Sequence, residues 1–367
     1  MAEKVKYNKG FVVLIATIVA FGGLLFGFDT GVISGALLLI KNDPNLMING
    51  MDTLPERTQE WIVSITVLGA AIGALGSGRI TDTLGRKKVV IITAFAFAIG
   101  SVGLAAANTV ALLIIWRFVV GLAIGVASYS VPLYISEVSP SHARGALVSI
   151  NQLAITVGIF ASYLVDLGFA NVDEGWRWMF LVGLVPSLIL AVGMFFLPET
   201  PRWLLTYRSE EEARKVLDKV GESNKEDVLE QIKINIKKEE KSQSSMKELA
   251  SKWVRPALII GVGIMFFQQF TGINTIIYYS PTIFEMAGFG ADAGNAVYNA
   301  ILPALPIGFV NVLFTVVAIF LIDRWGRKPL LYLGLAGMVL SLITIGIAFT
   351  FLNDNLLALK WMSFGSM

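Results

Sequence analysis

The sequence contains no cysteine and a single histidine, His142, among its 367 residues. Disulfides, thiolate nucleophiles and Cys-ligated zinc are thereby excluded, and so is any metal site built on a histidine pair. Charge is scarce as well. Asp, Glu, Lys and Arg together make up 15% of the chain and leave a net charge of +2, so a basic surface for nucleic acid is not indicated. No glycine-rich phosphate loop with its lysine occurs, which argues against direct use of ATP by this chain. With no metal cluster, nucleophile and base pair or cofactor loop in view, no enzyme activity, metal or cofactor is expected.

What remains is apolar. Hydrophobic residues account for 55% of the chain and the mean hydropathy is +0.69, too high for a soluble domain with a polar shell. An apolar run of about 20 residues crosses a bilayer as a helix, because lipid offers no partner for an unpaired backbone amide. Nine such runs are legible, near 11 to 40, 58 to 78, 88 to 107, 109 to 135, 144 to 167, 176 to 197, 255 to 285, 296 to 322 and 329 to 352. The expected fold is therefore all-α and polytopic, embedded in a lipid bilayer. Lys4, Lys6 and Lys9 lead straight into the first run with no small-residue cleavage signal, which reads as an uncleaved first span.

Basic residues in short loops stay cytoplasmic. Here Arg79, Arg86, Lys87 and Lys88 follow the second span, Arg144 the fourth, and Arg324, Arg327 and Lys328 the eighth. The opposite gaps lean acidic, with Lys41, Asp43, Asp52, Glu56, Arg57 and Glu60 in one, Asp166, Asp173 and Glu174 in the next, and Glu285 and Asp292 in the last. A cell-membrane protein with a cytoplasmic N-terminus is expected. The one long polar stretch, 198 to 254, falls between the sixth and seventh spans as a cytoplasmic linker. Within it Ser209 followed by Glu210, Glu211 and Glu212, with Gly221 beyond, marks a capped surface helix, and 226 to 241 a second one.

Asp82-Thr-Leu-Gly85-Arg86-Lys87 after the second span returns as Asp323-Arg-Trp-Gly326-Arg327-Lys328 after the eighth. The copies are an even number of spans apart, so the halves share one topology: a parallel repeat of six-helix units. The glycine gives a tight turn, and the aspartate and arginine are placed to cap and pair helix ends. The expected organisation is a six-helix bundle over 1 to 197, the linker over 198 to 254, and a partial three-helix bundle over 255 to 367. By the repeat, three further spans are wanting, and truncation is the favoured reading.

Several stretches carry a family likeness: Gly27-Phe28-Asp29-Thr30-Gly31, the two Asp-x-x-Gly-Arg-Lys loops, Arg117 with the Phe-Val-Val-Gly that follows, Pro132-Leu-Tyr134-Ile-Ser-Glu137 with Arg144-Gly145, Pro198-Glu199-Thr200-Pro201-Arg202-Trp203, and Gln268-Gln269-Phe-Thr-Gly272-Ile-Asn274 with Tyr278-Tyr279. In this order they resemble the sugar porter family of the major facilitator superfamily, from the first span through the ninth. The resemblance implies a sugar or polyol substrate and alternating access.

Asp29 and Arg117 lie inside the first and fourth spans, where a charge is costly unless it faces a cavity or a partner. At about 1.5 Å per residue they sit roughly 16 and 12 Å from the outer ends of their helices, so they can pair. The resemblance associates Asp29 with proton coupling; the plainer alternative is a structural ion pair. The leading function is proton-coupled symport of a monosaccharide or cyclitol by a monomer, with a facilitative uniporter and a non-transporting sugar sensor or truncated remnant as rivals. Neutral amides offer a sugar both donors and acceptors, and the family's sugar positions fall on Gln152, Gln268, Gln269, Asn274 and Asn311. Phe26, Tyr278 and Tyr279 either stack on a sugar ring or simply pack. Gly272 would let the seventh helix unwind beside the substrate. By resemblance Asp82, Arg86, Glu137, Arg144, Glu199, Arg202, Asp323 and Arg327 form a cytoplasmic gate, where rim charges of little energy are the alternative. Gly69, Gly73 and Ser77, with Gly121 and Gly125, keep the spacing that permits close helix approach.

Overall fold

The computed structural model describes residues 8–47, 53–140, 143–221, 225–241, 251, 254–289, 295–351 and 356–366; Lys4, Lys6, Asp52, His142, Asp292 and the side chain of Asp323 lie outside that description. Among the described residues nine helices are long and apolar enough to cross a membrane, and they match the nine runs.

The first six spans comprise α1 (Lys9–Ile40), α2 (Glu56–Leu84), α3 (Arg86–Ala105), α4 (Val110–Val138), α5 (Arg144–Phe169) and a helix interrupted at Gly183 into α6 (Gly175–Val182) and α7 (Leu184–Phe196). Two glycine seams draw this bundle together. A Cβ on Gly69 or Gly73 would strike the backbone of Phe118 or Leu122, and one on Gly121 or Gly125 that of Thr66 or Ala70, so α2 and α4 pack backbone to backbone as their small-residue spacing suggests. A second seam runs along the later half of α1: Gly23, Gly27, Gly31 and Gly35 lie every fourth residue on one face, against Asn151, Ile155, Ser162 and Asp166 of α5. Around these seams lies one core, including Val19, Val32, Phe97, Ile124 and Met179.

In the linker, Pro201 opens a short helix α8 (Pro201–Tyr207) that the sequence pattern had not marked, with Thr200 as its cap. The helices expected next are present as α9 (Glu210–Val220) and α10 (Lys225–Lys241). Ser209 accepts the Glu212 amide 3.3 Å away and Gly221 closes α9 in the left-handed region at φ 74°.

The second unit begins with a broken span, α11 (Arg255–Phe270) and α12 (Ile273–Met286), interrupted at Gly272, whose φ is +81°. Another break at Leu302 and Pro303 separates α13 (Ala296–Ile301) from α14 (Ala304–Trp325); α15 (Arg327–Phe351) and α16 (Leu356–Ser366) follow. The units meet where α12 and α13 lie on α1, and α13 and α14 on α5. Ile277, Phe284 and Ala304 bury themselves there with Ile159 and Tyr163. α11, by contrast, buries none of its residues.

Candidate functional site

Arg117 Nη1 donates to Asp29 Oδ1 at 2.7 Å, with the arginine 1% and the aspartate 6% exposed. Arg117 Nε also reaches the Ile62 carbonyl at 3.3 Å, and its guanidinium lies 5.9 Å from the Phe180 ring centroid. The pair thus ties α1 to α4 inside the first bundle. An ion pair sealed this way tolerates loss of either partner poorly, at about 3–5 kcal/mol, because the other charge stays behind.

Tyr278 brings the second unit to this pair. It packs on the core of the first bundle, its hydroxyl meets Thr30, and it lies within electrostatic range of Asp29 and Arg117. Tyr279 packs on the same core, as does Phe26, whose carbonyl accepts the Thr30 hydroxyl at 2.8 Å. Next to Tyr278 on α12, the Ile277 carbonyl accepts from Tyr163 Oη at 3.1 Å, and that hydroxyl lies 3.4 Å from Ser280 Oγ.

The amides fall into two groups. Gln269 Oε1 accepts from Asn274 Nδ2 at 2.8 Å across the Gly272 break, with Gln268 beside it; both glutamines are exposed. Gln152 is exposed on α5, on the stripe that continues through Ile159 and Tyr163 toward the second unit, and half-buried Asn311 extends the Ala304 and Gly308 stripe of α14 that faces α5. The hydrogen bond between Gln269 and Asn274 is the contact that the structure gives within this set besides the neighbouring glutamines, and Gln152 and Asn311 lie on other helices.

On the side that carries the basic loops, Arg86 joins three elements. Its guanidinium contacts Glu137 at 3.0 Å and Asp82 at 3.1 Å, and Glu137 also accepts the Thr200 hydroxyl at 2.7 Å. Glu199 accepts the Lys87 amide at 3.1 Å and the Thr200 amide at 2.9 Å, so its carboxylate caps the start of α3. Burial holds the Glu199 carboxyl above the usual carboxylate range, against the pull of those amides and Arg86. Trp203 Nε1 donates to the Asp82 carbonyl at 2.8 Å. Gly85 sits at φ +93° in this knot, and a Cβ there would strike Glu199. Gly326 repeats the turn at φ +82° in open space. Arg202 stands 4.0 Å from Glu137, Arg144 is exposed in the groove beside them, and Arg327 is exposed by the second turn.

Three further residues escape motif reading. Lys41 and Glu285, each read from sequence as a loop charge, meet at 2.6 Å across the two units. Asp166, assigned to an acidic loop, instead lies in the last turn of α5, completely buried, because Gly35 leaves room for its carboxyl against α1. The glycine spacing of α1 was the available signal.

Residues 15–367 match the Sugar (and other) transporter family. The chain is 44% identical over 352 residues to the glucose transporter GlcP of Staphylococcus epidermidis, covering 94% of this chain and 74% of that one. It is 40% identical over 343 residues to the galactose-proton symporter of Escherichia coli K12, covering 92% and 70%. Its fold is similar to the xylose transporter XylE of E. coli in a partially occluded inward-open conformation, with a TM-score of 0.82 at 30% identity over 97% of this chain and 83% of that one. The chain thus belongs to the sugar transporter family of the major facilitator superfamily, a family of membrane transporters and not of enzymes.

Proposed function

We propose that the protein carries a monosaccharide or cyclitol across the cell membrane together with a proton, by alternating access, with its N-terminus and basic loops in the cytoplasm. The observation that carries this reading is the sealed Asp29–Arg117 pair, reached from the second unit by Tyr278. While Asp29 is ionised, Arg117 is held and the α1–α4 contact is fixed. A proton on Asp29 removes one charge of the pair, frees Arg117 and shifts the balance between states of different α1 and α12 packing. The similarity to a galactose-proton symporter supports the coupling, and the alternation of basic loops supports the orientation.

Sugar recognition is assigned to Gln152, Gln268, Gln269, Asn274 and Asn311, with Phe26, Tyr278 and Tyr279 along the apolar ring faces. The break at Gly272 frees backbone groups beside Gln269 and Asn274, which suits a substrate rich in hydroxyls. The outer seam, closed by Lys41–Glu285 and by Tyr163 on Ile277, fits an inward-facing state. In that state Arg202 already stands 4.0 Å from Glu137; facing outward, Arg144 would join it in closing on Glu137 and Glu199, and Arg327 would act with Asp323 at the second turn.

The chain is tested in proteoliposomes by uptake of labelled D-galactose, D-glucose, D-xylose and myo-inositol under an imposed inward proton gradient. Uphill accumulation that collapses with a protonophore is the expected result. Downhill flux indifferent to the gradient would make the protein a uniporter, and binding without flux a sensor.

A further inference from the structure

The Asp29–Arg117 pair leaves one buried carboxyl without a role. Asp166, about 5 Å from the outer end of α5 by helical rise, is 0% exposed. Its Oδ2 accepts the Gly35 amide at 3.1 Å, while Oδ1 has no hydrogen-bond partner among the described residues. Among the described residues no cation pairs with it. At this end Lys41 is engaged by Glu285, and Arg177 by Glu174 and the carbonyls of Ala105 and Ala107. Arg117 is engaged by Asp29, and Asp43 by Trp176. On the elements packed against it the titratable groups are Tyr163 on α5, Tyr278 and Tyr279 on α12 and Tyr298 on α13; Glu56, Arg57, Glu60, Asp173 and Lys360 complete the described charges of this end, and none of these groups bonds to Asp166. Among the described residues the carboxyl therefore has a single neutral donor, and a sealed anion with so little compensation is strongly disfavoured.

The lid over this site comes from the second unit. Short helix α13 packs on both α1 and α5, and its Ala300 and Ile301 are fully buried against Leu38 and Ala170, each about one turn beyond Gly35 and Asp166. Withdrawal of α13 would uncover Leu38 and Ala170, which lie between the carboxyl and the outer side.

We propose that Asp166 is an external proton-binding site that makes closure of the outer face depend on outside pH. With the outer face open, a proton passes from external water to Oδ1, turning carboxylate into carboxylic acid; closure of α13 then seals the neutral group. On reopening the proton returns to the same side. It adds nothing to the protons carried with sugar, and so the site acts on the rate of closing and not on the driving force. The inference rests on the proposed orientation and on alternating access, but not on proton coupling at Asp29.

The test is sugar counterflow in de-energised right-side-out vesicles with internal pH fixed and external pH varied. No net proton-driven transport is needed, so a uniporter would serve equally well. Exchange through the unaltered chain is expected to slow as external pH rises, by up to about tenfold per pH unit, the limit for one proton. Asp166→Asn, which keeps the acceptor for Gly35, is expected to hold its acid-side rate at every external pH. The absence of native cysteine allows a second readout that survives poor transport. With the rate divided by that of an always-accessible thiol at the same pH, since thiolate content itself rises with pH, Ala300→Cys should be labelled faster by an impermeant maleimide as external pH rises, and this excess slope should vanish in the Asp166→Asn background. An unchanged external-pH slope in Asp166→Asn, in exchange or in labelling, overturns the proposal. A chain with no exchange at all but a pH-dependent label would retain the site and sink the transport reading.

Discussion

Lys41 Nζ lies 2.6 Å from Glu285 Oε2, joining the end of α1 to the end of α12 and so the first unit to the second. Both side chains are partly exposed, at 19% and 36%, so the contact is worth a modest amount, about 0.2–1 kcal/mol. That is enough to bias an equilibrium without locking it. Lys41→Glu should favour opening of this seam and raise labelling of an outer-face cysteine by about 2–5-fold, a change of that size in free energy. The exchange Lys41→Glu with Glu285→Lys should restore the original rate; failure to restore it would mean that the contact does not bear on opening.

Asp29→Asn keeps the shape of the side chain and removes its charge. Sugar exchange across equal pH should persist, while accumulation against a gradient should be lost. Arg117→Ala leaves Asp29 sealed without its partner, and a fall in stability of about 3–5 kcal/mol is expected in thermal unfolding of the purified protein. Uphill uptake by Asp29→Asn equal to that of the unaltered chain would remove the coupling role.

Gln269 and Asn274 share a hydrogen bond across the Gly272 break, so each orients the other. Ala at either position should weaken sugar binding by about 3–10-fold, the worth of one neutral hydrogen bond, as read by isothermal titration with the transported sugar. The double variant should lose less than the product of the two single losses, because the partners are coupled.

Gly85 and Gly326 occupy the same turn in the two repeats but meet different surroundings. Gly85→Ala forces a Cβ into the left-handed region and onto Glu199, whereas Gly326→Ala meets open space. Each carries about 1–3 kcal/mol of backbone strain. Only Gly85→Ala should also break the Glu199 cap, so its melting temperature should fall further than that of Gly326→Ala.

Glu199 supplies a pH signature. Burial holds its carboxyl above the usual range, so the folded state binds this proton more tightly than the unfolded chain. Its contribution therefore favours folding at low pH and is lost as pH rises through the folded value, by at most about 1.4 kcal/mol for each unit of displacement. Glu199→Gln cannot titrate. Measured across pH 4.5 to 8, the melting temperature of the unaltered chain should fall relative to Glu199→Gln as pH rises; a constant difference would contradict this.

The number of spans, the capped linker helix at Ser209 and the repeated turns at Gly85 and Gly326 are written in the sequence, because each follows from local chemistry: apolar length, a cap residue, a backbone that only glycine adopts easily. Asp29 and Arg117 were legible for the same reason, as charges stranded in apolar runs. Contacts between distant elements were not. Lys41 and Glu285 are separated by 244 positions and read as unrelated loop charges. Asp166 looked like a loop acid until the glycine face of α1 folded against it, and the Gly183 and Pro303 breaks carry no signal that distinguishes them from tolerated helix residues. Sequence decides what each helix can be, through periodicity and solvent preference; which faces meet, and hence which carboxyl is sealed and which stays wet, is decided only when the two units pack.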